Sequence, residues 1–165
     1  MTAIRDALPD EAENLAELWH DAWHDAHDGL VSPALSAVRD RANFRMRIEP
    51  LMPDLRVAGP PGAPSGLIRA AEGMVHLVFV ARSARGTGVA SALMTDGEHR
   101  LAMAGTHIAR LECSVGNDRA ACFYRRRGWV LETQSTVVSS TSVGEFPLPT
   151  WCFAKRLLDA TAGHR

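Results

Sequence analysis

The spacing of apolar and polar residues divides the chain into short segments of strand and helix. Residues 74–81, MVHLVFVA, are rich in β-branched and aromatic residues and form the clearest predicted strand. Further strands are predicted at residues 3–6, 55–58, 67–70, 110–115, 129–138 and 150–157. Strands that alternate with helices in this order predict an α/β fold on a mixed sheet of about seven strands.

Helical periodicity and end signals predict the remaining regular structure. Helices are predicted over residues 10–28, 35–48, 88–104 and 118–127. Asp10 is the predicted N-cap of the first helix, and Gly29 ends it. The stretch from residue 139 to residue 149 is rich in Ser, Thr and Pro, which predicts a loop between the last two strands.

The first predicted helix contains the sequence LWHDAWHDAHDG, residues 18–29. At 100° per residue its apolar residues share one face, His20, His24 and His27 a second, and the three aspartates a third. Histidines spaced by four and three residues can reach one ion, so zinc or nickel binding is one interpretation. An amphipathic helix with a polar outer side explains the same pattern without a metal.

The composition is that of a soluble domain with a core of its own. The chain has 165 residues, 46% of them hydrophobic and 22% charged, which predicts a single domain over residues 1–165. The formal net charge of −1 provides no positive field for nucleic acid or an anionic membrane. The acidic N-terminal stretch is unlike a signal peptide, and no apolar run could span a bilayer, so a cytosolic protein is expected.

The three cysteines, Cys113, Cys122 and Cys152, are widely spaced and lie in apolar settings. An odd number of cysteines with this spacing and these settings predicts reduced core residues rather than a disulfide framework or a zinc site.

The turn after the clearest strand has the sequence RGTG, residues 85–88, and opens a predicted helix. Free backbone N–H groups and the positive end of a helix dipole suit a phosphate at such a turn. Gly86 and Gly88 can also serve only to form a tight turn. A Walker A loop is excluded because its Gly-Lys-Ser/Thr ending is absent, and a dinucleotide fingerprint would need a glycine at Ser91.

Two motifs flank the strand at residues 110–115. The first, RGTGVA, spaces Arg85, Gly88 and Ala90 as in the pattern Gln/Arg-x-x-Gly-x-Gly/Ala. The second, NDRAACFYRRRGW at residues 117–129, contains Asn-x-x-Ala followed by Phe-Tyr and Gly-Trp. Together they resemble the GNAT superfamily of acetyl-coenzyme A (acetyl-CoA) dependent N-acetyltransferases, over about residues 74–129. One departure is Arg82, where the family usually has proline.

The resemblance implies a GNAT fold, with helices on both faces of the sheet and two central strands splayed around the cofactor. Acetyl-CoA is the implied co-substrate, and its pantetheine arm is expected to bind the backbone of Val78, Phe79 and Val80. The pyrophosphate is expected at Arg85, Gly86, Thr87, Gly88, Val89 and Ala90, and Asn117 is also assigned to the cofactor site. The remaining phosphate is expected near an arginine cluster, with Arg126 as the chosen residue among Arg82, Arg119, Arg125, Arg126 and Arg127.

Acetyl transfer to an amine requires an unprotonated acceptor, a polarised carbonyl and a proton for the departing thiolate. The resemblance implies that Tyr124, the only tyrosine, is the acid. Alternation places Glu72, Met74, His76, Val78 and Val80 on one face of their strand, from which the family often draws a base. His76 is the first choice of base and Glu72 the second, and a water chain can replace both.

The implied reaction moves the acetyl group of acetyl-CoA to a primary amine of a small molecule or peptide, directly in a ternary complex and without a metal. Because the first helices wall the acceptor cleft in this family, Trp23, His24 and His27 are predicted to bind the substrate. A non-catalytic acyl-CoA binding module is the alternative function, and a dinucleotide enzyme is a third. A homodimer is compatible with these features, whereas nucleic acid and membrane partners are not expected.

Overall fold

The structure, a computed structural model, describes residues 2–158. These residues contain seven strands and five α-helices. The strands are β1 (Ile4–Asp6), β2 (Leu55–Ala58), β3 (Gly66–Ala71), β4 (Met74–Val80), β5 (Ile108–Ser114), β6 (Val130–Thr141) and β7 (Gly144–Arg156). The helices are α1 (Ala12–His27), α2 (Pro33–Val38), α3 (Arg41–Ile48), α4 (Val89–Met103) and α5 (Asp118–Arg126). The last residues of the domain predicted over 1–165, and residue 1, lie outside the described residues.

The strands form one sheet in the order β1-β2-β3-β4-β5-β7-β6. All neighbours are antiparallel except β4 and β5, so the predicted mixed sheet of seven strands is confirmed. The parallel contact is short, because only Met74 and Val75 of β4 pair with Arg110 and Leu111 of β5. Beyond these pairs the two strands part, which is the splay expected at the centre of the sheet.

Apolar residues are buried on both faces of the sheet. The neighbouring β3 residues Leu67 and Ile68 are both fully buried, but they belong to different clusters. Leu67 packs in the cluster that contains α1 and α3, where the Trp19 and Phe44 rings meet edge to face with centroids 4.9 Å apart. Ile68 packs in the cluster that contains α4 and α5. Helices therefore cover both faces, as predicted.

The entry to α1 differs from the predicted cap at Asp10. A single 3-10 turn at Pro9–Glu11 precedes the helix, and the carboxylate of Glu11 accepts the backbone N–H of Leu8 at 3.0 Å. Glu11 is 1% exposed, and it also pairs with Arg5 at 2.7 Å and accepts the N–H of Gly62. The carboxylate one residue after the predicted cap therefore joins three segments of the chain.

The predicted helix over residues 35–48 is two helices. Asp40 starts α3, because its carboxylate accepts the backbone N–H of Asn43 at 2.8 Å. Arg39 separates α2 from α3, with φ −80° and ψ 52°, which is not a helical conformation. Helical spacing alone could not reveal this break.

The predicted loop over residues 139–149 is wrong, since β6 and β7 continue into a long hairpin that closes between Thr141 and Gly144. Pro147 and Pro149 lie in the part of β7 that extends beyond its pairing with β5, whose last pair joins Ser114 to Thr150. The two prolines are two positions apart, so the backbone nitrogens of both can face away from β6. Their lack of an N–H group then costs no hydrogen bond between β6 and β7. The prolines are therefore tolerated because this part of β7 pairs with a strand on one edge only.

Within the described part of the chain, no helix combines the length and the apolar character that a membrane crossing requires.

Candidate active site

A cavity of about 820 Å³ lies where β4 and β5 separate. Its walls come from α1, α3, β4, the turn before α4, β5, α5 and the β6–β7 hairpin. Residues predicted for the site that line it are Trp23, His27, His76, Val78, Phe79, Val80, Arg85, Gly86, Gly88, Ala90, Asn117, Tyr124 and Arg126. Segments distant in sequence thus converge on one space.

A β-bulge at His76 marks the start of the splay. Arg69 of β3 pairs with Leu77, and the next residue, Ala70, pairs with Val75, so His76 has no partner on β3. The bulge reverses the alternation of β4, because Val75 packs in the same cluster as Val78 and Val80. The predicted face shared by Glu72, Met74, His76, Val78 and Val80 is therefore wrong.

His76 lines the cavity with one ring nitrogen already engaged. Nε2–H donates to the carbonyl oxygen of Ala71 at 3.1 Å, which leaves Nδ1 as the acceptor of the neutral ring. The carboxylate of Glu72 lies 3.8 Å from Nε2, beyond hydrogen-bond distance. Glu72 occupies the turn between β3 and β4 with φ 55°, is exposed, and does not line the cavity.

Glu112 is a lining residue that the sequence analysis did not assign to the site. It lies on β5 between the buried residues Leu111 and Cys113 and points to the opposite face of the sheet. Leu111 makes the last parallel pair with β4, so Glu112 is the first β5 residue past the pairing and His76 the first on β4. A glutamate between two buried apolar residues of a strand was the signal that the sequence offered. The separation of β4 from β5, which brings Glu112 into the cavity, was not visible in the sequence.

Tyr124 lies on α5, and its ring packs near those of Phe123 and Phe153, with centroids 5.5 Å and 6.0 Å away. The residue is 8% exposed and lines the cavity. Burial, and next the sulfur of Cys113, raise the pKa of the phenol above its usual range, so the hydroxyl stays protonated at neutral pH. Among residues 2–158 no side chain or backbone group hydrogen-bonds to this hydroxyl.

The turn before α4 has the geometry of an anion site. Gly88 is the N-cap of α4 with φ 87°, and Gly86 has φ 75°, a region in which side chains are strained. A Cβ at either glycine would meet nothing within 4 Å, so both backbones face open space. Thr87 directs its hydroxyl to the carbonyl oxygen of Ala84. The side chain of Val89 is buried in the core, so its predicted role rests on its backbone N–H.

The arginines near this turn fall into two groups. Arg85 pairs with Asp25 of α1, and Arg127 donates to Thr95 and Glu98, so both have partners in the protein. Arg119 and Arg126 are exposed, line the cavity and form no ion pair within residues 2–158. Of the predicted cluster, these two are available for a phosphate, whereas Arg82 and Arg125 do not line the cavity.

Asn117 caps α5, since its side-chain oxygen accepts the N–H of Ala120 at 3.3 Å. The same residue lines the cavity. Asn117 therefore orients the helix that carries Tyr124 and also borders the space assigned to the cofactor.

Of the three α1 residues predicted to bind the acceptor, two line the cavity and one does not. Trp23 and His27 line the cavity and stack with ring centroids 4.7 Å apart. His27 Nδ1–H donates to the carbonyl oxygen of Trp23 at 2.8 Å, and burial lowers the pKa of the ring, so Nε2 is left as an acceptor. His24 does not line the cavity, because its nitrogens contact Asp28 at 2.9 Å and the carbonyl oxygen of Arg39 at 2.6 Å.

The histidine stripe of α1 does not converge on an ion site. His20 and His24 have ring centroids 4.5 Å apart, but one nitrogen of His20 contacts Asp21. Over residues 2–158, no group of three His, Cys, Asp or Glu side chains is arranged to hold a metal.

Comparison with known proteins assigns the family. The family model for the acetyltransferase (GNAT) domain matches residues 51–141, which is more than half of the chain. The chain belongs to the GNAT acetyltransferase family. The match includes β4, the glycine turn and α5, which carry the residues predicted to bind the cofactor. A search of curated proteins found no match.

Solved GNAT structures share the whole fold. A GCN5-related N-acetyltransferase from Rhodopseudomonas palustris is 23% identical with a TM-score of 0.75, and the match covers 95% of this chain and 96% of that one. PaiA N-acetyltransferase from Thermoplasma acidophilum, in complex with coenzyme A, is 15% identical with a TM-score of 0.66 over 94% and 99%. YncA from Salmonella typhimurium, a putative acetyltransferase with acetyl-CoA, is 18% identical with a TM-score of 0.63 over 99% and 98%. At these identities the likeness shows the fold.

The family assignment confirms three predictions from the sequence: the GNAT family, its α/β fold, and an acyltransferase that uses acetyl-CoA as co-substrate. The roles of individual residues and the identity of the acceptor stay predictions.

Proposed function

We propose that the protein moves the acetyl group of acetyl-CoA to a primary amine of a small molecule or peptide, directly within a ternary complex. The observation that carries the proposal is one cavity that joins the glycine turn, the splayed β4 backbone, Tyr124 and the α1 wall. This space has room for a cofactor arm and an acceptor to meet. A binding module without catalysis would not need a buried, protonated hydroxyl at the junction.

The cofactor side fits coenzyme A by its chemistry. Beyond Val75, the β4 backbone has no partner on its β5 edge, so Val78, Phe79 and Val80 can hydrogen-bond an extended arm as an added strand would. The open backbone at Gly86 and Gly88 and the first N–H groups of α4 can receive the pyrophosphate. When bound, the cofactor supplies the acetyl thioester.

Direct transfer is favoured by the state of the cavity's cysteine. Burial raises the pKa of the Cys113 thiol to about 11, so this residue is not a thiolate nucleophile at neutral pH. Without an acyl-enzyme, the acceptor nitrogen attacks the acetyl carbon, the C–N bond forms and the C–S bond breaks. The hydroxyl of Tyr124 supplies a proton to the departing sulfur and is then reprotonated, with the proton lost by the nitrogen as its source.

The acceptor reaches the cavity as an ammonium and must lose a proton first. His76 remains the proposed base, since its Nδ1 is free and the ring lines the cavity. Glu112, across the splay, can assist through a water, whereas Glu72 would act only from the exposed turn. Trp23 and His27 are the proposed acceptor contacts on α1.

We further propose that residues 1–165 act as a single transferase domain in the cytosol, with no nucleic acid or membrane partner and with no metal in the transfer step. A homodimer is compatible with the proposal and is not required by it.

Mass-spectrometric detection of acetylated products from a panel of amines, antibiotics and peptides tests the proposal. Formation of an acetylamide together with free coenzyme A is expected for at least one class of amine. Binding of acetyl-CoA without transfer to any amine would instead support the non-catalytic module.

A further inference from the structure

Arg47 is a cation without a partner on the α1 side of the cavity. It lies on α3, lines the cavity, and forms no hydrogen bond or ion pair within residues 2–158. Its Nη1 atom is enclosed by protein and has no acceptor. The guanidinium carbon lies 4.5 Å from the centroid of the Trp19 ring and 5.2 Å from that of Phe44, so its neighbours are aromatic faces.

Trp19 adds a second donor without a partner. It is 4% exposed and lines the same cavity, and no group in the described part of the chain accepts its Nε1–H. Buried polar groups almost always have partners, and a lost partner costs free energy. Two neighbouring donors without any acceptor indicate that the missing group is an acceptor.

The charges around Arg47 make that acceptor an anion. Arg39, 6% exposed, donates only to the neutral side chains of Asn43 and Ser139, at 3.0 Å and 2.5 Å. Burial, and next the positive charge of Arg39, lower the pKa of Arg47 to about 10, so it is still charged at neutral pH. Neither Arg39 nor the half-buried Arg47 pairs with a carboxylate within the described residues.

The cavity as a whole has an excess of positive groups. The described lining contains five arginines and one carboxylate, Glu112. Arg85 is paired with Asp25, and Arg119 and Arg126 lie on α5, where the cofactor phosphates account for them. Arg69 is neutralised by Asp54 at 3.1 Å. Arg47 is left, on α3 and against the Trp19 ring of α1.

We propose that the amine acceptor carries a carboxylate, which Arg47 binds by its guanidinium fork. Arginine suits this role because its planar donors match the two oxygens of a carboxylate. Ala22, Leu51 and Leu148 line the same cavity, and such apolar surface strengthens the interaction by excluding water. The inference rests on the proposed transferase function and narrows its acceptor to amino-acid-like amines.

The test compares amines of equal length that end in a carboxylate or in its primary amide: glycine, β-alanine and 4-aminobutyrate against their amides, with aminomethylphosphonate as a different anion. Wild-type kcat/KM is expected to favour the acid of at least one pair by about tenfold to hundredfold, the effect of charged hydrogen bonds. Arg47→Met should lose this preference, mainly through KM. Arg45→Met is the matched control, because Arg45 lies on the same helix, does not line the cavity and pairs with Glu13 and Glu49.

Comparing acid-to-amide ratios between variants cancels the different reactivity of the amines. Equal use of acids and amides by the wild type, or an equal loss on both in Arg47→Met with unchanged coenzyme A affinity, would overturn the inference. A preference for the phosphonate over every carboxylate would also overturn it. If no amine is acetylated, calorimetry of the acids with the coenzyme A complex decides. If an acid binds to the wild type but not to Arg47→Met, the anion site is kept and the transferase proposal is rejected. If no acid binds, both are rejected.

Discussion

Arg85 of the glycine turn and Asp25 of α1 form an ion pair, with 3.0 Å between Nη2 and Oδ2. The side chains are 25% and 33% exposed, so solvent weakens but does not cancel the interaction. This pair ties the histidine- and aspartate-rich helix at the acceptor wall to the turn that is proposed to hold the pyrophosphate.

Asp25→Asn keeps an acceptor for Arg85 but removes a negative charge beside the anion site. We therefore expect coenzyme A affinity to rise about twofold to fivefold at low salt, and the gain to shrink at high salt. Calorimetry at two ionic strengths measures both effects. Asp21→Asn, on the same helix as Asp25, is the control, because the Asp21 carboxylate contacts His20 and Arg41 of α3. Weaker binding in Asp25→Asn would mean that the carboxylate orients Arg85.

Substitutions at Gly88 and Gly105 can distinguish the cost of backbone strain from the loss of the proposed anion site, because only Gly88 lies in that site. They flank α4 with φ 87° and 88°, and a Cβ at either would meet nothing within 4 Å. Alanine at each should cost a similar 1–2 kcal/mol of folding free energy, roughly that of a left-handed residue. Only Gly88→Ala should weaken coenzyme A binding, and Gly88→Glu should abolish it. Unchanged affinity in folded Gly88→Glu would remove the phosphate assignment.

Glu11 should make stability depend on pH. Arg5, and next the backbone N–H groups of Leu8 and Gly62, lower the pKa of this carboxyl from 4.5 to about 2 despite burial. Because the folded pKa is depressed, the stabilisation is complete above pH 4.5 and is lost as the pH falls toward 2. Glu11→Gln should cost about 3 kcal/mol at pH 7, and the difference should vanish near pH 2. Parallel urea titrations measure it; a constant difference would refute the assignment.

Residues 74–129 were predicted well because their signals are local. The strand, the glycine turn and the helices on either side of β5 each depend on neighbours in sequence. The β6–β7 hairpin was missed because Pro147 and Pro149 are tolerated only where β7 has a single neighbour, which is a property of the sheet.

The acceptor side was predicted less well because it depends on contacts between distant segments. The bulge at His76 exists only through pairing with β3, and Glu112 enters the cavity only because β4 and β5 part. Arg47 did leave a signal, since it follows Phe44 by three residues, a spacing at which two residues share one face of a helix. A charge on such a face is a reason to look for its partner.

His76 is expected to control the acidic limb of the rate profile. His76→Gln removes the base but keeps a side chain of similar length, so transfer to protonated amines should slow and the acidic limb should disappear. Glu72→Gln, in the exposed turn, should change the profile little. Profiles of kcat/KM against pH for both variants and for Glu112→Gln make the comparison. If the limb persists in His76→Gln and is lost in Glu112→Gln, the base role passes to β5.

The most direct test of the account is the turnover of Tyr124→Phe with one slow amine acceptor, for which chemistry limits the rate. The change removes a proton donor and keeps the ring among Phe123 and Phe153, so folding and coenzyme A affinity should be unchanged. If Tyr124 is the general acid, kcat should fall by about 10² to 10³, the usual contribution of such a group. Full turnover in Tyr124→Phe would contradict the assignment of the acid and, with it, the proposed transfer at this cavity.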